Sequence, residues 1–428
     1  MKRIDIAEVV KRVVTLSIFF VLSLLMPVIV AFAASDSGSE ETAEETPPPG
    51  NMTVLAEDGR IEFPFELYRG DIRFKCEVNG HPVHMLLDDG YMWDQLLFWG
   101  GPEVDSLDLV YDGNTEIGND RSDKLASRTA SHITVAFPGA ELSEQTAIVT
   151  PSSSGVSSMW AGSVGQISAG LFKHFVVDIN FDRMVITLIP PEKFTYSGRG
   201  NAVRWEPMGF GPRSIPATLR AADGRRVSMK LMMDLGYNDQ ILLVADGEHQ
   251  VPLPERKLPT SLGFNMQRQE TRGFVGRLPG VEIGGYELKD LVVSYVPQDQ
   301  SSGTSAEAMV GLGLLTHFNL VFDYHNQRLF VEPNKSFDRP FEYNMTGFVA
   351  ACSVPGSLVV REVYADSPAD KAGLKKGDKL LEINGRPVAD YDFFELLDLY
   401  EQKGARLKLG IERDGEKKDV SLKLERVI

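Results

Sequence analysis

The stretches HMLLDDGYMWDQLL, residues 84–97, and KLMMDLGYNDQILL, residues 230–243, are two versions of one pattern. In each, an apolar run meets an acid two positions before a glycine, a tyrosine follows, and a second apolar run begins after Asp-Gln. A buried strand does not normally end in carboxylates, so the pattern reads as a strand running into a tight glycine turn with an acid at the bend. Asp88 and Asp234 hold the same place in the two copies.

Two further blocks repeat in the same order. FPGAELSEQTAIV (137–149) answers to LPGVEIGGYELKDLVV (278–293), and SAGLFKHFVVDINFDRMVI (168–186) to GLGLLTHFNLVFDYHNQRLF (311–330). Asp88 precedes Ser168 by 80 residues and Asp234 precedes Gly311 by 77, so order and interval are both kept. A fixed-order repeat of this length means two copies of one lobe, expected over 52–195 and 198–335. Short β-rich runs broken by Gly, Pro, Asn and Asp fill both copies, so the fold class is mainly β.

A pseudo-twofold pair of such lobes would set Asp88 and Asp234 face to face. Two carboxylates about 3 Å apart cannot both ionise, so they share a proton and can act together as acid and base. The other role open to an Asp before Gly is capping its own turn through backbone amides. Tyr91 and Tyr237 would pack beside the cleft or hydrogen-bond a ligand. Asp94 with Gln95, and Asp239 with Gln240, read as solvated loop residues, and His174 and His317 as a duplicated structural histidine.

With strand-Asp-x-Gly in each half and the apolar-Gly segment MVG at 309–311, the chain resembles bilobal retropepsin-like aspartic peptidases. That resemblance implies two β-barrel lobes, a catalytic pair Asp88 and Asp234, and supporting loops at Asp89, Gly90, Tyr91, Leu235, Gly236 and Tyr237. Three features depart from the family pattern. Asp89 and Leu235 stand where it has Thr or Ser, tyrosines follow the glycines where it has a small residue, and QIS (166–168) stands in the first half where the second keeps the apolar-apolar-Gly MVG. In the family that hydroxyl braces the two loops; an ionised Asp89 can accept hydrogen bonds but donates none, and Leu235 does neither. A buried Asp89 would also raise the pKa of the acids beside it.

The last 90 or so residues have another texture. DSPADKAGLKKGDKLLEINGRPV (366–388) resembles a bacterial PDZ domain, expected over 340–428, with a helix over 390–402 and a hairpin turning at Asp414-Gly415. Such domains take an extended peptide between a strand and a helix. The resemblance puts the peptide-binding strand at Gly347, Phe348 and Val349, and the helix side chains at Phe394 and Leu397. The combination is similar to exported bacterial aspartyl-protease-like proteins that end in a PDZ domain.

Residues 1–34 carry Lys2, Arg3, Lys11 and Arg12, an apolar run from Val13 to Val30, and Ala31-Phe32-Ala33, the pattern of an export signal. A periplasmic or secreted protein follows, or one anchored by that segment if it is not cleaved. The stretch 35–51 is acidic and proline-ended, a disordered linker. Only Cys76 and Cys352 are present, too few for a disulfide framework.

The net charge of −16 carries no concentrated basic face and excludes nucleic acid as a partner. No zinc spacing, phosphate loop or Gly-x-Ser-x-Gly occurs, so no metal and no cofactor is expected. The expected partner is polypeptide, as substrate or as a peptide C-terminus.

The reading is therefore an exported endopeptidase working through an Asp dyad, with peptide selection by the PDZ domain. The alternative is a degenerate cleft that binds peptide without cleaving it, as a scaffold or envelope sensor. A third possibility, a carbohydrate or small-molecule binder, would use Tyr91, Trp93 and Trp99 as a stacking surface.

Overall fold

A computed structural model describes residues 50–90, 94–117, 125–154, 162–207, 213–245, 251–264, 270–297, 308–354, 357–391 and 393–428. The expected export signal, most of the linker, Tyr91 and Trp93 lie outside the described residues. The chain is mainly β and divides into two compact units with the boundary between Pro340 and Phe341.

The first unit contains the duplication as geometry. In the first copy, His81–Leu87 runs parallel to Gly165–Ile167, which is antiparallel to Leu96–Trp99, itself parallel to Ala140–Thr150. In the second, Arg226–Asp234 runs parallel to Ala308–Gly311, which is antiparallel to Ile241–Ala245, itself parallel to Tyr286–Pro297. Met85, Leu86 and Leu87 are buried, as are Leu231, Met232 and Met233, because each strand has neighbours on both edges and packing on both faces. Each run therefore delivers its terminal acid to the end of a rigid, fully paired strand.

A six-stranded ladder joins the copies, in the order Asn201–Arg204, Arg328–Pro333, Phe318–Asp323, Val176–Asn180, Val185–Ile189, Ile61–Tyr68. Its central pair places Asp178 opposite Val321, and three strands come from each copy. Beside it, Phe172 of the first copy packs edge-on to Phe322 and stacks on Tyr324, with ring centroids 5.2 and 5.0 Å apart. His174 and His317 are both buried, and burial lowers the pKa of His317, consistent with a neutral structural imidazole there.

The second unit is a sheet ordered Phe348–Val354, Ser357–Val363, Lys379–Ile383, Arg406–Arg413, Glu416–Lys423. Ser367 caps the helix Pro368–Lys371 by accepting from the Asp370 N–H at 3.2 Å. Asp414 and Gly415 both take positive φ, 54° and 78°, which fits the two-residue hairpin turn their sequence predicts. Asp378, almost fully buried, receives two 2.6 Å hydrogen bonds from Arg413 and ties the turn after Gly377 to the hairpin.

Several expectations need correction. The helix expected over 390–402 is the shorter Phe393–Tyr400, preceded by a single 3-10 turn at Val388–Asp390. Trp99 offers no stacking surface: it is 2% exposed, in a cluster with Leu86, Leu97, Ile117 and Ile148. Asp94 is not a solvated loop acid, since Lys173 holds it in a largely covered ion pair of 2.6 Å.

Candidate acid-pair site

Asp88 and Asp234 leave the ends of their strands toward each other, and their side chains are hydrogen-bonded together. Both are buried, 5% and 3% exposed. Each also closes its own turn: Gly90 N–H donates to Asp88 Oδ1 at 2.9 Å, and Gly236 N–H to Asp234 Oδ1 at 2.8 Å. Turn capping and acid pairing, the two roles open to these residues, are thus performed by the same carboxyls.

The glycines are required by the crossing. A Cβ on Gly90 would stand 2.3 Å from Asp234 Oδ1, and one on Gly236 would stand 2.8 Å from Asp88 Cγ. Each loop lies against the other copy's carboxyl at a distance that no side chain permits.

The two acids are not equivalent. Asp88 receives a second donor, Gln166 Nε2, at 2.7 Å on Oδ2. Gln166 lies opposite Leu86 in the parallel pairing, where the second copy has Met309 opposite Met232. The segment that departed from the family pattern therefore supplies a hydrogen bond to the acid pair. Burial first, then the negative charges of Asp88 and Asp89, hold Asp234 well above the usual carboxylate range.

Asp89 turns across the copies. It is 2% exposed, and its Oδ1 accepts from the Leu235 N–H at 2.8 Å. Burial pushes its carboxyl up to about 7; the Leu235 N–H opposes the rise, Asp88 adds to it, and the Arg213 guanidinium opposes it. The hydrogen bond from Leu235 crosses from one copy to the other, carried by a carboxylate oxygen. Leu235, fully buried, leaves the reciprocal position apolar. Tyr237 packs with Met232, Leu242, Leu262, Val296 and Met309, and its hydroxyl donates to Asp239 at 3.3 Å.

In the second unit, Phe348 begins the strand at the sheet edge, and its ring is 1% exposed, 5.6 Å from that of Tyr400 on the helix Phe393–Tyr400. The Met345 N–H donates to the Tyr400 carbonyl, which joins the loop before the strand to the helix end. Gly347 has φ 77°, and a Cβ there would meet Ser367 at 2.1 Å. Val349 and Leu397 are half-buried; the Phe394 side chain lies outside the described residues. Phe348 can offer a peptide only its backbone.

Residues 331–424 match the PDZ domain family model, and the chain carries a PDZ domain at its C-terminal end. The chain is 31% identical over 94 residues to the carboxy-terminal processing protease CtpB of Bacillus subtilis (strain 168), 22% of this chain and 20% of that protein. It is 35% identical over 66 residues to the periplasmic serine endoprotease DegP of Escherichia coli (strain K12), 15% of this chain and 14% of that one. The matched region spans a fifth or less of the length of these relatives. Among solved structures, the chain is similar to the aspartic proteinase from Irpex lacteus, with 12% identity, 65% of this chain and 98% of that one covered, and a TM-score of 0.42. It is also similar to basic 7S globulin from soybean, with 9% identity, 66% and 97% covered, and a TM-score of 0.40.

Proposed function

We propose that the chain is an exported aspartic-type endopeptidase, with lobes over 52–195 and 198–335 supplying one acid each and the PDZ domain selecting polypeptide. The observation that supports it is the buried, mutually hydrogen-bonded pair Asp88 and Asp234, each acid resting on the other copy's glycine. With two additional donors on Asp88 and one on Asp234, the negative charge belongs on Asp88 and the shared proton on Asp234. Asp88 then takes a proton from water as it attacks the scissile carbonyl, and Asp234 donates to the carbonyl oxygen. The edge of Phe348–Val354 would receive an extended chain by β-augmentation. The periplasmic naming of relatives such as DegP, together with the N-terminal signal pattern, supports export.

The test is cleavage of an unfolded polypeptide by the purified protein across acidic to neutral pH, since the pair must hold one shared proton. Asp88→Asn and Asp234→Asn should each abolish it, and equal activity in either variant would exclude the dyad. A second reading, peptide binding without turnover, draws on the apolar Leu235 and on the Gln166 amide where the second copy has the apolar Met309. Saturable peptide binding with no product in the unmodified protein would select it.

A further inference from the structure

The edge that would receive a chain in the PDZ domain starts at Phe348. Its strand, Phe348–Val354, is terminal in the sheet, so one side of it is unpaired among the described strands. Phe348 stands opposite Val363, and the Gly347 carbonyl beside it accepts from the Tyr364 N–H at 2.9 Å. In an antiparallel ladder, a pair flanked by such a bond turns its own N–H and C=O groups outward. The backbone groups of Phe348 therefore face the open edge, where they would form the first rung with an incoming strand.

That rung is already made, by side chains of the preceding loop. The Phe348 N–H donates to Thr346 Oγ1 at 3.3 Å, and the Phe348 carbonyl accepts from Asn344 Nδ2 at 3.1 Å. Asn344 Oδ1 accepts in turn from the Thr346 N–H at 2.9 Å and from the Thr346 hydroxyl at 2.5 Å. The Met345 N–H donates to the Tyr400 carbonyl, so across 345–348 Gly347 is the one residue whose N–H has no partner among the described residues. The loop is also held from behind: the Thr346 carbonyl accepts from the Ala369 N–H at 2.9 Å, and the Gly347 carbonyl from the Ser367 hydroxyl at 3.1 Å. Thr346 is fully buried.

A terminal carboxylate is captured by a nest of backbone N–H groups. It brings two oxygens that must both be satisfied, and this loop offers one donor. The carboxamide oxygen of Asn344 already plays the acceptor's part.

We infer that Asn344 and Thr346 close the carboxylate end of this groove, so that the PDZ domain binds an extended polypeptide segment through the edge beyond Phe348 and does not select a free C-terminus. Such a domain holds a chain away from its ends, which fits cleavage within the chain. The inference rests on the edge-pairing reading above and is independent of the acid pair.

A library of labelled decapeptides, each made with a free C-terminal carboxylate and as the C-terminal amide, tests this by fluorescence anisotropy. The full-length Asp88→Asn protein is used, so that turnover does not interfere, and slowed hydrogen exchange over 348–354 identifies the peptides bound at this edge. The two forms of each such peptide should bind within about threefold of each other, and a larger preference for the free carboxylate overturns the inference alone. Asn344→Ala combined with Thr346→Val frees the Thr346 and Phe348 N–H groups and should then favour the free carboxylate by about tenfold, the size of one hydrogen bond to a charged group. No such gain overturns the assignment to Asn344 and Thr346. Should the double substitution fail to fold, the comparison with the loop intact decides by itself. Binding of no peptide at the edge overturns the inference together with the edge-pairing reading, whereas cleavage by the unmodified protein decides the peptidase reading separately.

Discussion

The Asp88 loop and the Asp234 loop share a strand, a turn, a capping amide and a glycine beneath the opposite acid, yet differ in what surrounds them. The first has Gln166 on the acid and a second carboxyl crossing to the other lobe; the second has Met309 and Leu235 in the same places. A symmetric pair would leave open which acid holds the proton. Here hydrogen-bond donors gather at Asp88, while burial and two neighbouring negative charges act on Asp234, and on the proposed peptidase reading this asymmetry would make Asp88 the base and Asp234 the acid.

The largest effect that breaks this comparison is on turnover. Asp88→Asn and Asp234→Asn should each lower kcat by about 10³-fold or more, near the upper range for losing a general acid or base, read by product formation from unfolded polypeptide.

Next is the pH dependence of stability. Asp89 sits at about 7 in the folded protein against 3.8 as its ordinary value, so between those values the folded state holds a proton that the unfolded state has released. The stability this contributes is fully present below the unfolded value and is lost as pH rises to about 7, a change of about 4 kcal/mol. Denaturant unfolding across this window should show the fall, and Asp89→Asn should reduce it, the remainder coming from the raised Asp234.

A smaller loss follows from crowding the crossing. Gly90→Ala should destabilise by about 1–3 kcal/mol through overpacking, and more than Gly236→Ala, because its Cβ meets a carboxylate oxygen at the shorter distance. Thermal melts of the two variants measure the difference.

Gln166→Met, which makes the first loop like the second, sharpens the comparison. Removing a hydrogen bond to a charged group costs about 1.5–3 kcal/mol, so the acidic limb of any pH–rate profile should move up by about one to two units.

Much of this architecture is legible in sequence because it follows from periodicity and repetition. The matched runs at 84–97 and 230–243 place both acids at strand ends, and Asp414-Gly415 and Ser367-Pro368 state their turn and cap outright. The polar partners are not legible, because they depend on which side chains meet across the lobes. Gln166 reads as a departure until its strand is seen opposite Leu86; the available signal is an amide aligned with Met309 inside a buried run. Asp89 reads as the loss of a hydroxyl donor, whereas the position it fills requires an acceptor.

The ladder between Val176–Asn180 and Phe318–Asp323 has a consequence for biogenesis. When the first copy has been synthesised, its Val176–Asn180 edge has a partner on one side only, and the strand that completes it belongs to the end of the second copy. Until then the nascent chain exposes an apolar edge able to pair with the same edge of another molecule. Refolding yield should therefore fall as protein concentration rises.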